Sequence, residues 1–154
     1  MMGKKMFRIR KGRLSDIETI VDFQQKMAKE TERLILKKQT VTKGVRAVFR
    51  DKRKGTYYIV EDEGEAAGML MTIPEWSDWR NSTVLWIHSL YIRPQYRGKG
   101  AFKKMYQFLK KRVQRSNSLS GLRLYVEKEN ISARRVYEKL EMTKDHYLMY
   151  EWLK

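Results

Sequence analysis

The chain contains no cysteine, which removes a disulfide scaffold, a thiolate metal site and a cysteine nucleophile in one step. Proline is scarce, at Pro74 and Pro94 only, and no Pro-, Gly- or Ser-rich tract reads as a linker. Repeats and low-complexity segments are also missing. The longest apolar run, residues 66–73, falls far short of the ~20 residues that span a bilayer. Residues 1–5 are basic, but no apolar stretch follows them, so no secretory signal is expected. The expectation is a soluble, cytoplasmic protein that binds no metal.

What is present is enough for one core. The 154 residues are 42% hydrophobic, and nine glycines bring the sum close to that of globular chains. A single domain over 1–154 is expected. Lysine and arginine total 34 against 18 acids, a net charge of +16. Such an excess attracts polyanions: nucleic acid, acidic membrane surfaces or phosphorylated cofactors. It does not choose among them. The clusters at 50–54 and 103–115 are modest, and a solvated surface accounts for most of these charges.

Periodicity predicts a strand at 6–10 and a helix over 16–32 with Ser15 as its N-cap, because Ile17, Ile20, Val21, Gln24, Met27 and Ala28 share one face. A second helix is predicted from about residue 42 to 51. Residues 56–61 and 66–73 read as a hairpin around Asp62-Glu63-Gly64. The strongest strand, 83–92, stops at Arg93-Pro94, where proline removes a ladder donor. Then come a helix over 99–115, a strand at 122–126, a helix over 131–140 capped by Asn130, and one long strand or two short ones within 142–152. This order predicts an α/β (α+β) fold, a mostly antiparallel mixed sheet with helices on both faces.

Leu90-Tyr91-Ile92-Arg93-Pro94-Gln95-Tyr96-Arg97-Gly98-Lys99-Gly100-Ala101 runs from strand through a glycine turn into an amphipathic helix. Backbone N–H groups at such a turn converge where the helix dipole adds about half a positive charge. Gly98 and Gly100 let a phosphate approach the main chain, and Arg97 and Lys99 add charge. Gly98-Lys99-Gly100 lacks the spacing and the Lys-Ser/Thr ending of a Walker loop. Without further support, the turn reads equally well as an ordinary strand-to-helix connection. A second feature lies in the last helix, where Asn130, Ala133 and Tyr137 fall at i, i+3 and i+7 on one face, with Ala133 leaving a gap. Alone, these residues read as an N-cap and a core tyrosine.

Together the two features resemble the Gcn5-related N-acetyltransferase (GNAT) family, whose signature Gln/Arg-x-x-Gly-x-Gly/Ala is matched by Gln95, Gly98 and Gly100. The resemblance runs over nearly the whole chain. It implies a sheet of six to seven strands, splayed between the central strand and the next, and acetyl-CoA as co-substrate. It further implies that main-chain groups of Leu90, Tyr91 and Ile92 bond the pantetheine arm. The amides from Tyr96 to Phe102, Ala101 among them, would hold the diphosphate. Asn130 would meet the pantetheine, and Tyr137 would deliver a proton to the departing thiolate. The family usually has glycine where this chain has Glu141, in Leu140-Glu141-Met142. In a left-handed C-cap, glutamate there costs on the order of 1 kcal/mol.

The acceptor implied is an amine on a small molecule or a protein. An alkylammonium near pKa 10.4 is only about one part in ~2,500 neutral at pH 7, so a base or a desolvated site matters. His88 is the leading candidate, on the strand that precedes the signature. Glu75, Trp76, Asp78 and Trp79 lie in residues 74–81, expected to be a polar and aromatic loop just before the central strand and suited to a cation, although Asp78 also fits a turn cap. Glu30 and Glu32, at the end of the first helix, are weaker candidates. A homodimer is the expected assembly. The alternatives are a basic nucleic-acid-binding module, against which stands the lack of a helix-turn-helix, zinc or repeated stacking pattern, and a non-catalytic CoA sensor.

Overall fold

The structure is a computed structural model that describes residues 6–144 and 146–154. The basic residues 1–5 and Asp145, within the strand predicted over 142–152, lie outside the described residues. Two compact units divide the chain, the first ending at Leu124 and the second running Tyr125–Lys154.

In the first unit, β1 (Arg8–Lys11), β2 (Thr56–Asp62), β3 (Glu65–Ser77), β4 (Ser82–Ile92) and β5 (Leu119–Leu124) form one sheet in chain order. The first four strands pair antiparallel, and β5 joins β4 in parallel. Helices α1 (Ile17–Glu32), α2 (Lys38–Arg50) and α3 (Ala101–Gln114) complete this unit.

Successive strand residues face opposite sides, and β2 sorts the helices by that rule. Tyr57 and Ile59 join Met69 and Tyr91 in a core with Ile20, Val21 and Phe23 of α1 and Val45 of α2. Tyr58, between them, takes the opposite face and meets Phe108 and Arg112 of α3. Ala101, Met105, Tyr106 and Leu109 form the buried side of α3. Helices therefore cover both faces of the sheet, as expected. Among the described residues, no helix is long and apolar enough to cross a membrane.

Three local expectations are corrected. Ser15 does not cap α1: a single 3-10 turn, Leu14–Asp16, leads into the helix, and Asp16 sits at the cap position. Its carboxylate accepts two bonds from Arg10 (2.7 and 2.8 Å) and one from the Arg13 N–H (2.6 Å), and the Arg10 guanidinium holds the Asp16 carboxyl below its ordinary range. Residues 74–77 are not loop but the end of β3, so the Trp79 segment is the tip of a long hairpin. Among the described residues the sheet has five strands instead of six to seven. No strand forms among the described residues of 142–152, where Tyr147, Leu148, Met149, Tyr150 and Trp152 stay exposed. Their pattern suits a strand, but a strand exists only when a neighbouring ladder takes up its N–H and C=O groups.

The second unit holds one helix, α4 (Ile131–Lys139), with no buried residue. Its ends are nonetheless well defined. The Asn130 side-chain oxygen accepts the Ala133 N–H at 3.0 Å, a regular N-cap. At the other end the Met142 N–H reaches the Tyr137 carbonyl (3.1 Å) and the Glu141 N–H the Glu138 carbonyl (3.0 Å), the paired bonds of a Schellman ending. Glu141 takes the left-handed position at φ 64°. The expected cost of a non-glycine residue there is therefore incurred.

Candidate functional site

The site begins where β4 loses a partner. The parallel ladder with β5 ends at Ile87↔Leu124, whereas the antiparallel ladder with β3 continues to Gly68↔Ile92. The last five residues of β4, 88–92, thus run on past the final residue of β5 and take no ladder partner from it. A bulge lies in this half: Met71 pairs with His88 and Met69 with Tyr91, so Ser89 and Leu90 both stand opposite Leu70. Ser89 has φ 52°. Bulges of this kind re-aim a strand beside functional sites. Sequence reasoning missed it, because neither residue is a glycine or asparagine. It also missed Gly68, where a Cβ would stand 2.5 Å from the Tyr91 carbonyl oxygen and 2.7 Å from the Ile92 side chain. Only glycine lets β3 and β4 run this close.

Beyond Ile92 the chain makes a 3-10 turn, Pro94–Tyr96, and enters α3. Gly98 (φ 71°) and Gly100 (φ 87°) both adopt the left-handed conformation, and a Cβ built on either would meet nothing within 4 Å. The glycines are thus required by the backbone and look onto open space. The first-turn N–H groups of α3 have no partner inside the helix, and no acid stands in that turn to take them. Lys99 and Lys103 are exposed alongside. Such a cradle fits a diphosphate.

The flanks of the cradle are pinned. Tyr96 is buried edge-on to Phe7 (6.2 Å between centroids), and its hydroxyl donates to Glu65 at 3.1 Å. With its amide turned so that the oxygen faces Arg93, Gln95 accepts from that guanidinium at 3.1 and 3.3 Å. Ala101 and Tyr91 are buried, whereas Leu90, Ile92 and Phe102 are half-buried. Arg97 folds away from the cradle: its Nε donates to the Ile92 carbonyl (2.8 Å), its Nη2 donates to Glu30 (2.6 Å), and its guanidinium lies over the Tyr91 ring. The charge assigned to Arg97 at the phosphate is therefore neutralised by Glu30, and Glu30 is correspondingly engaged.

His88 is half-buried with its ring edge-on to Trp86, and burial lowers its pKa below the ordinary 6.5. Its neutral form, able to accept a proton, is the one present at pH 7. Glu75 is held by Arg123 at 2.7 Å, and Arg123 lies over Trp86. The hairpin tip gathers the other acceptor candidates: Asp78 accepts the Trp79 N–H (2.9 Å), while Trp76 and Trp79 are 63% and 91% exposed. In the second unit, Ala133 and Tyr137 are half-buried, and burial raises the Tyr137 phenol above its ordinary pKa of 10. A phenol so shifted stays protonated through the neutral range. Among the described residues no group of His, Asp and Glu could hold a metal ion.

A mixed sheet whose β4 leads into a glycine cradle at a helix N-terminus suits a protein that binds a phosphorylated ligand. The sequence agrees: the family model for the GNAT acetyltransferases matches residues 18–142, and the chain belongs to that family. The crystal structure of a possible acetyltransferase from Clostridium difficile 630 is 41% identical, with a TM-score of 0.89 over 97% of this chain and 99% of that one. The crystal structure of a predicted acetyltransferase with acetyl-CoA from Clostridium acetobutylicum is 19% identical with a TM-score of 0.72, covering 95% of this chain and 96% of its own. Glucosamine-6-phosphate N-acetyltransferase from Arabidopsis thaliana is 18% identical with a TM-score of 0.73, covering 97% and 100%. These last two show the fold alone. No curated protein sequence matches the chain.

Proposed function

We propose that this protein transfers an acetyl group from acetyl-CoA to a primary amine by direct attack in a ternary complex. The observation that carries the reading is the cradle at Gly98 and Gly100, open to solvent and free of acids, placed where β4 has run on past the end of β5. The amides from Tyr96 to Phe102 would hold the diphosphate, with Lys99 and Lys103 adding charge. Main-chain groups of Leu90, Tyr91 and Ile92 would bond the pantetheine arm, and Asn130 would meet it from α4. When bound, acetyl-CoA supplies a thioester carbonyl carbon that an amine can attack.

The protein's part is to orient the amine, remove its proton and provide one for sulfur. His88 takes the ammonium proton on its imidazole nitrogen, directly or through water, and its lowered pKa keeps that nitrogen unprotonated at neutral pH. As the C–N bond forms and the C–S bond breaks, Tyr137 would give its phenolic proton to the departing thiolate and recover the attacking nitrogen's second proton; its raised pKa keeps the phenol protonated beforehand. A cationic amine suits the exposed Trp76 and Trp79 rings and the Asp78 carboxylate at the β3–β4 hairpin tip.

Two measurements test this reading. Acetyl-CoA should raise the melting temperature, and a thiol-release screen over amines should show turnover. Binding without turnover across the panel would reduce the protein to a CoA sensor. Because the His88 pKa is lowered, the acid limb of kcat/KM should fall below pH 6.5, and His88→Ala should abolish that limb. An unchanged limb in the variant removes His88 from the role.

A further inference from the structure

Between Trp79 and Val126 the chain carries eleven lysines and arginines and no aspartate or glutamate. On α3 these charges line up. Lys104, Phe108, Lys111 and Arg115 recur at i, i+4, i+7 and i+11, which places them on one stripe about 16 Å long, with Arg112 beside it. All five are exposed. Lys104, Lys111 and Arg115 make no ion pair among the described residues.

The middle of the stripe is held rigid from below. Tyr58 of β2, only 1% exposed, meets the Phe108 ring edge-on at 5.6 Å between centroids. Arg112 donates to the Tyr58 hydroxyl and lies 5.9 Å over the same ring. Phe108 is still 38% exposed, and with Lys111, Arg112 and Arg115 it lines a shallow groove of about 450 Å³. Phe108 thus packs on Tyr58 with one edge and leaves the rest of its ring in water between cations.

We propose that this face of α3 binds single-stranded nucleic acid, with Lys104, Lys111, Arg112 and Arg115 on successive phosphates and a base stacked on Phe108. A linear run of cations without interspersed acids suits a backbone with one charge per nucleotide, and the pinned aromatic supplies the stacking platform such binders need. An acidic peptide would use the charges but leave the ring unused. Sequence periodicity alone showed no stacking arrangement, because the exposure of Phe108 is decided by Tyr58, fifty residues away. The proposal is independent of acetyl transfer, since it uses none of the groups assigned to the diphosphate except the helix they share.

The test is fluorescence anisotropy of the full chain with a labelled RNA of mixed sequence, about 12 nucleotides long, titrated from about 50 to about 200 mM salt. Binding should weaken linearly on a log–log plot. The double variant Lys111→Gln/Arg115→Gln should reduce the slope by about 1.4, at roughly 0.7 per lost phosphate contact on a single strand. The charge-matched pair Lys43→Gln/Arg46→Gln on α2, which lies on the other sheet face, should leave the slope nearly unchanged. Phe108→Leu should weaken binding by at least about fivefold at constant slope, the mark of lost stacking. Saturating CoA should not displace the RNA. The proposal fails if wild type does not bind, if the α2 pair costs as much as the α3 pair, or if CoA competes. It also fails if polyglutamate binds as tightly while Phe108→Leu changes nothing, which would make the face a dock for acidic protein. Melting curves of each variant separate lost contacts from lost fold.

Discussion

The two halves of the expected signature are built in opposite ways. The turn between β4 and α3 is set by its surroundings: Tyr96 and Ala101 are buried on either side of the two glycines, Gly68 lets β4 pass close to β3, and Arg97 is tied to both Ile92 and Glu30. Helix α4 buries no residue, and its shape depends on its two caps, at Asn130 and at Glu141. A nine-residue helix is too short to persist on propensity. A substitution in the turn is therefore expected to appear in ligand affinity, and one in α4 in turnover or in helix stability.

The largest effect sharpens that contrast from the α4 side. Tyr137→Phe keeps the ring and removes only the proton, so kcat should fall about 10²–10³-fold while acetyl-CoA affinity stays within about twofold. Because the phenol pKa is raised, the alkaline limb of the wild-type profile should lie above pH 10 wherever Tyr137 governs it. Loss of affinity equal to the loss of turnover would make Tyr137 a binding residue and erase the distinction between the two halves.

On the turn side, Gly100→Ala should weaken acetyl-CoA binding by about 30- to 100-fold in a calorimetric titration. The free protein has room for the added methyl group, so the fold should lose only the left-handed strain of about 1 kcal/mol. Gly64→Ala is a matched control: φ 85° against 87°, equally open space, but in the β2–β3 hairpin. It should cost similar stability and no affinity. Equal binding by both variants would show that the cradle at Gly100 holds nothing.

These glycines were legible in the sequence because a left-handed backbone leaves few other choices, and the helices and hairpin followed from their apolar periodicity. The Asn130 cap and the left-handed Glu141 were legible for the same local reasons. What escaped depends on partners far away in the chain. Glu30 meets Arg97 across 67 residues, and Glu75 meets Arg123 across 48. Both acids looked like free acceptor ligands when read alone. Gly68 looked like one more member of an apolar run, although its reason is the Tyr91 carbonyl. The bulge at Ser89 and Leu90 leaves no compositional trace, since a register shift belongs to two strands at once.

The Glu30–Arg97 pair yields a smaller effect whose sign is informative. If Arg97 serves to hold the turn in shape, Glu30→Gln should weaken acetyl-CoA binding by about three- to fivefold, the range of a partly exposed charged bond. If Arg97 is instead a phosphate ligand that Glu30 restrains, the same substitution frees its charge and binding tightens. A titration at two salt concentrations decides between them, and tightening would mean that the turn is less pinned than its contacts suggest.

The smallest effect lies at the end of α4. Glu141 sits at φ 64° within a complete Schellman ending, so Glu141→Gly removes left-handed strain without changing a hydrogen bond. The gain is limited to about 0.5–1 kcal/mol, because glycine also enlarges the unfolded ensemble. Amide exchange at Tyr137 and Leu140 should slow by about two- to fivefold, while amides in α3 remain unchanged. Slowing in both helices would mean that α4 and the sheet open as one cooperative unit. Slowing in α4 alone would show that the helix carrying Tyr137 opens separately from the turn expected to hold the diphosphate, and that its end cap governs how often the proposed proton donor is in place.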